Sequence, residues 1–76
     1  MLLTLLTGQL VLVDTDEGKI HLKNREDRTI QAIRLNQNLK NYPHNFWENL
    51  MGCDIEAVVT GDEAVNVYDV TEEENK

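Results

Sequence analysis

The chain has 76 residues and a formal net charge of -7, with 41% hydrophobic and 28% charged residues. This length fits one domain near the lower size limit for a stable core, and the hydrophobic content argues against a disordered chain. A single cysteine, Cys53, excludes an internal disulfide and favours a reducing compartment, so we predict a cytoplasmic location. The apolar start lacks a basic region and a cleavage site and is soon interrupted by polar residues, which disfavours secretion and a membrane partner.

The first two stretches of the chain predict β-strands. Residues 2–13 predict one long strand bent near Gly8, because glycine inside a strand often marks a bulge or a bend. An acidic turn follows, and residues 19–23 predict a second strand with strict alternation. Ile20 and Leu22 share one face of this strand, which predicts that they point into the core.

The next segment combines a strand, a loop and a helix. Residues 28–35 predict a third strand with apolar residues on both faces, so the buried face stays open. Residues 36–41 are rich in Asn and predict a connecting loop. Pro43 suits a helix start and Gly52 suits the position just past a helix end, which predicts one short helix with an apolar stripe. The stripe consists of Phe46, Trp47, Leu50 and Met51.

Alternation over residues 53–60 and 64–70 predicts strands four and five, joined by a hairpin turn. Three strands, a helix and two strands are the element order of a mainly β fold, a small five-stranded OB-like barrel, in one domain over residues 1–70. An SH3-like barrel and an open sheet with a helix are the alternatives. Residues 71–76 carry three consecutive glutamates and no apolar side chain, which predicts a disordered acidic tail.

Charge is distributed unevenly along the chain. Residues 19–40 contain six Lys or Arg and two carboxylates, a local charge of +4. Residues 41–75 contain nine carboxylates and no Lys or Arg, a local charge of -9. We therefore expect a basic hairpin of strands two and three and an acidic remainder.

The basic hairpin suggests one function, nucleic-acid binding. In OB-type barrels the face of strands two and three is the usual site for oligonucleotides. The candidate residues are Lys19, His21, Lys23, Arg25, Arg28 and Arg34. Two features argue against this function: the flanking turns are acidic, and the two strands contain no aromatic residue on which a base can stack. Nucleic-acid binding is therefore the alternative rather than the first hypothesis.

The acidic remainder suggests a protein partner. Carboxylates engage a basic surface by charge complementarity, although they also keep a small protein soluble. An exposed Tyr or Trp would anchor such an interface, whereas a buried Trp would pack against the barrel interior. The candidate residues are Tyr42, Trp47, Glu48, Asp54, Glu56, Asp62 and Glu63. A second alternative is an acidic inhibitor that imitates DNA phosphates and blocks a nucleic-acid enzyme.

Catalysis and metal binding have little support in the sequence. The chain contains no serine and no Gly-rich phosphate loop, and His21, His44 and Cys53 lack metal-ligand spacing. We predict no enzyme, no metal and no cofactor. The first hypothesis is a non-enzymatic accessory or regulatory module that docks on a protein partner, with its oligomeric state left open.

Overall fold

The computed structural model describes residues 2–70, and the predicted tail, residues 71–76, lies outside the described residues. The described part of the chain is mainly β, as predicted, with five strands and two short helices. The strands are β1 (Leu3–Asp14), β2 (Lys19–Lys23), β3 (Ile30–Leu35), β4 (Asp54–Thr60) and β5 (Glu63–Asp69). The helices are α1 (Gln37–Lys40) and α2 (His44–Leu50), both between β3 and β4.

The five strands form one sheet whose order is β1-β2-β3-β5-β4 and which closes on itself, because β1 also pairs with β4. Consecutive strands along this order run antiparallel except for β3 and β5, which run parallel. The parallel pairing is short and involves only Arg34 with Glu63 and Leu35 with Ala64. The other four strand pairings are longer and contain most of the paired residues of the sheet.

Strand β1 belongs to both halves of the sheet. Its first part, Leu3–Gln9, pairs with β4, and its second part, Gln9–Asp14, pairs with β2. Gly8 precedes the switch, and a Cβ atom there would lie 2.9 Å from the backbone oxygen of Lys23. The close approach requires glycine, as the predicted bend suggested, but the register of β1 against β2 shifts only after Leu10.

The interior is filled by apolar side chains from all five strands. Ile20 and Leu22 are buried, which confirms the inward face predicted for the second strand. In β3, Ile33 and Leu35 are buried while Ile30 is 58% exposed, so the face that the sequence left open is settled. Pairing decides this choice, because Ile33 lies beside the buried Ile20 in the register of β2 and β3.

The predicted loop over residues 36–41 is wrong in part, since it contains the four-residue helix α1. Asn36 caps this helix: its side-chain oxygen accepts a hydrogen bond from the Leu39 N–H at 3.0 Å. The side chain of Leu39 is 1% exposed and ties α1 to the core. A single apolar residue in a polar segment gives no periodic signal, which explains why sequence reasoning missed the helix.

Helix α2 begins after Pro43 and ends before Gly52, as predicted. Gly52 has φ +82, a left-handed conformation that glycine adopts at little cost after a helix end. Trp47 and Leu50 are buried against the sheet, whereas Met51 is exposed, so only part of the predicted stripe faces inward. Neither helix within residues 2–70 has the length and apolarity needed to cross a membrane.

Candidate functional site

Alternate residues of β1, β4 and β5 point away from the core and form one continuous outer surface. In the register, Leu5 lies beside Val58, and Glu56 lies beside Tyr68 on the neighbouring strand. The next row places Leu3 beside Thr60, which pairs with β5 in turn. We call this surface the apolar-acidic face and define it by Leu3, Leu5, Glu56, Val58, Glu63 and Tyr68.

The apolar-acidic face exposes large apolar groups. Leu3 is 64% exposed, Leu5 is 58% exposed and Tyr68 is 50% exposed. The Tyr68 hydroxyl accepts a hydrogen bond of 2.8 Å from the Asn66 side-chain nitrogen, which restricts the ring on the surface. The rows of this face also hold Thr7 and Asn66, so its exposed apolar groups are interspersed with polar ones. Exposed apolar groups among polar residues are typical of an interaction site, and an ordered Tyr is a favoured anchor.

Two of the residues predicted to bind a protein lie inside the fold instead. Trp47 is 1% exposed and packs among the core residues. Of the two roles considered for it, interface anchor and core residue, the structure therefore shows the second. Asp54 is 4% exposed, and one of its carboxylate oxygens accepts a short hydrogen bond from Nε of Arg25. Neither side chain contributes to an outer binding surface.

The remaining predicted residues are divided between separate regions. Glu56 and Glu63 lie on the apolar-acidic face, and Asp62 lies in the adjoining turn. Tyr42 and Glu48 lie elsewhere, before and within α2. The Tyr42 ring packs edge-on against Phe46 with 4.7 Å between centroids. The structure therefore brings together two of the predicted carboxylates and an anchor, Tyr68, that the sequence did not single out.

A second outer surface lies on β2 and β3 and contains most of the predicted nucleic-acid candidates. Lys19 lies opposite Arg34 at one end, and Lys23 lies opposite Ile30 at the other. Between them His21 lies beside Leu12 of β1 and Ala32 of β3. We call this surface the basic face and define it by Leu12, Lys19, His21, Lys23, Ile30, Ala32 and Arg34.

The positive charges of the basic face are separated into two groups. At one end, Nη1 of Arg34 lies 3.5 Å from Oδ2 of Asp62, and both side chains are exposed. At the other end, Lys23 lies close to Arg25 and Arg28 of the following turn, around one concavity. Between these groups the face holds Leu12, His21 and Ala32 and no Lys or Arg, so the Lys and Arg residues do not form a continuous track for a nucleic-acid backbone.

The turn between β2 and β3 is held by its own polar side chains. The Asn24 side-chain oxygen accepts a 2.8 Å hydrogen bond from the Glu26 N–H, and the Asn24 N–H donates to the Thr29 carbonyl. Hydrogen bonds from the Thr29 N–H and hydroxyl lower the pKa of Asp27 below its usual value. Because this pKa is lowered in the folded chain, the stabilisation is present at neutral pH and is lost as the pH falls through it.

Sequence reasoning missed the apolar half of the apolar-acidic face. The apolar start of the chain has leucines on both faces of the strand, so alternation does not show that Leu3 and Leu5 point outward. Within the described residues no three His, Cys, Asp or Glu side chains come together as a metal-binding group. Comparison with protein-family models, with curated proteins and with solved structures found no match.

Proposed function

We propose that this domain is a non-enzymatic binding module that docks on a protein partner through the apolar-acidic face. The exposure of Leu3, Leu5 and Tyr68 on one face of paired strands carries the proposal. Glu56 lies beside Tyr68, and Glu63 lies in the same row as Leu3 with Thr60 between them, so both supply negative charge to this face. The partner is therefore expected to present an apolar centre surrounded by Lys or Arg side chains.

An OB-like barrel is the architecture that we propose for this module. The strand order, the parallel pairing of β3 with β5 and the helices between β3 and β4 support it. Barrels of this kind bind oligonucleotides on the face of their second and third strands. The apolar-acidic face lies on other strands and carries negative charge, which favours a protein over a nucleic acid as its ligand.

Burial of the exposed leucines is the main source of affinity in this proposal. Removing a Leu side chain fully from water contributes about 1.5–3 kcal/mol, and about 1.4 kcal/mol corresponds to tenfold in affinity. The carboxylates contribute mainly to the rate and orientation of association, and their effect decreases with salt. Leu5 and Tyr68 should therefore matter more for the dissociation constant than Glu56 and Glu63 do.

The first experiment is capture from a lysate of the cells that produce the protein, using the immobilised chain. Bound proteins are identified by mass spectrometry, and the affinity of the purified partner is then measured by calorimetry. L5D and Y68D should each weaken binding at least tenfold, because each places a charge in an apolar contact. E56Q combined with E63Q should slow association at low salt and have little effect at high salt.

The matched control is L12D, which makes the same change on the basic face, where Leu12 is 47% exposed. Its binding should equal that of the unchanged chain. Equal losses for L5D and L12D, or capture that is indifferent to L5D, would show that the apolar-acidic face is not the docking surface. If the partner is an enzyme whose nucleic-acid substrate competes for the same site, the inhibitor alternative replaces the accessory role.

A further inference from the structure

The concavity at one end of the basic face has an unusual lining. It has a volume of about 290 Å³ and is lined by Gln9, Lys23, Arg25 and Arg28. Three of these four residues are cationic, and none of this lining is a carboxylate. The concavity around Lys19 and Arg34, in contrast, includes an aspartate. The lining of this concavity is therefore cationic, while the carboxylates Glu26 and Asp27 of the same turn lie outside it.

The fold brings these side chains together from three segments. Gln9 lies at the switch point of β1 and is paired with Lys23, the last residue of β2. Arg25 lies in the turn and donates from Nε to the buried Asp54, while its side chain stays 57% exposed. The Arg28 N–H donates to the Asn24 carbonyl at 2.8 Å, which fixes the end of the turn. The sheet and the turn therefore fix the backbone positions of the three cationic residues.

The backbone of Arg28 supports a role for its side chain. Arg28 has φ 63, in the left-handed region, which large side chains rarely adopt and which glycine adopts at little cost. A turn selected for stability alone would be expected to carry glycine or asparagine at this position. Unfavourable backbone conformations of this kind are concentrated at ligand sites, where the side chain is required.

We propose that this concavity binds a phosphoryl group. Arg guanidinium groups match phosphate oxygens with paired N–H donors, and the Lys23 ammonium adds a compact charge. The buried Asp54 orients Arg25 through the Nε hydrogen bond. Lys19 and Arg34 belong to the other end of the face and take no part. The site is independent of the proposed docking function, because it lies outside the apolar-acidic face.

The test is a titration of the ¹⁵N-labelled chain, residues 1–76, with pyrophosphate at neutral pH and constant ionic strength, followed by amide chemical shifts. Saturable shifts are expected at Gln9 and over residues 23–29. A short single-stranded oligonucleotide titrated in the same way distinguishes the source of the phosphoryl group. Binding of pyrophosphate alone identifies a free anion, and tighter binding of the oligonucleotide identifies a phosphodiester backbone. Both outcomes support the site.

The variant K23Q/R28Q should weaken binding at least tenfold, whereas K19Q/R34Q should change it less than twofold. The second pair is a matched control, because it removes the same charge from the other end of the same face. A further variant, R28G, should bind at least threefold more weakly while its urea midpoint stays equal or rises, which separates binding from folding. Equal weakening by both charge pairs, or the absence of saturable shifts, would overturn the proposal.

Discussion

Replacing Trp47 with alanine is expected to remove about 3–5 kcal/mol of folding free energy, as for other fully buried Trp side chains. Trp47 is 1% exposed and is the largest fully buried side chain among residues 2–70. A domain of this size has a small total stability, toward the low end of about 5–15 kcal/mol. The urea midpoint, followed by far-ultraviolet circular dichroism, should therefore fall by about 2 M or more, or the cooperative transition should disappear.

W47F is the control for this prediction. The buried indole Nε1 of Trp47 has no hydrogen-bond partner among the described residues, so phenylalanine removes a polar group that contributes no bond. It also retains most of the ring and its edge-on contact with Phe46, whose centroid lies 5.0 Å away. W47F should cost clearly less than W47A. A loss below about 1 kcal/mol for W47A would mean that Trp47 does not support the core.

The second large effect is expected for R25A. Asp54 is 4% exposed and accepts a hydrogen bond from Arg25, so the variant leaves a buried carboxylate without this partner. Removing one member of a fully buried pair costs about 3–5 kcal/mol. Because the Arg25 side chain is 57% exposed, solvent reduces this cost, and we expect about 2 kcal/mol in urea unfolding.

The pair formed by Arg34 and Asp62 provides the comparison. Their charged atoms are 3.5 Å apart, and both side chains are exposed, 59% and 79%. R34A should therefore change stability by less than about 0.5 kcal/mol. A double-mutant cycle of R25A with D54N should show a coupling of at least about 0.5 kcal/mol. Equal effects of R25A and R34A would contradict a structural role for the Arg25–Asp54 contact.

Local sequence patterns predicted the order of the strands along the chain well. They predicted only in part which face of each strand is buried. In β2, apolar residues occupy one face only, so Ile20 and Leu22 were assigned to the core correctly. In β3, isoleucines occur on both faces, and only the pairing with β2 selects Ile33 over Ile30. Helix α1 was not predicted, because a cap and one buried leucine within four residues produce no helical period.

The site was less accessible to sequence reasoning than the fold, because its residues come together through tertiary pairing. Asp54 alternates with apolar residues and was assigned to the surface, but an arginine from a distant turn pairs with it in the interior. Tyr68 was not proposed as an anchor, since the exposed leucines that share its outer surface, Leu3 and Leu5, are more than sixty positions away in the chain. Only the register of β1, β4 and β5 reveals this surface.

The short parallel pairing between β3 and β5 determines where the closed sheet opens most easily. Two residue pairs join β3 to β5, whereas seven join β1 to β4. Local opening of the native sheet should therefore need the least free energy between β3 and β5. Deuterium uptake should be faster at the Asn36 amide, which bonds to the Ala64 carbonyl, than at amides in the middle of β4. The reverse ranking of exchange rates would mean that the β3–β5 pairing resists opening at least as well as the longer strand pairings do.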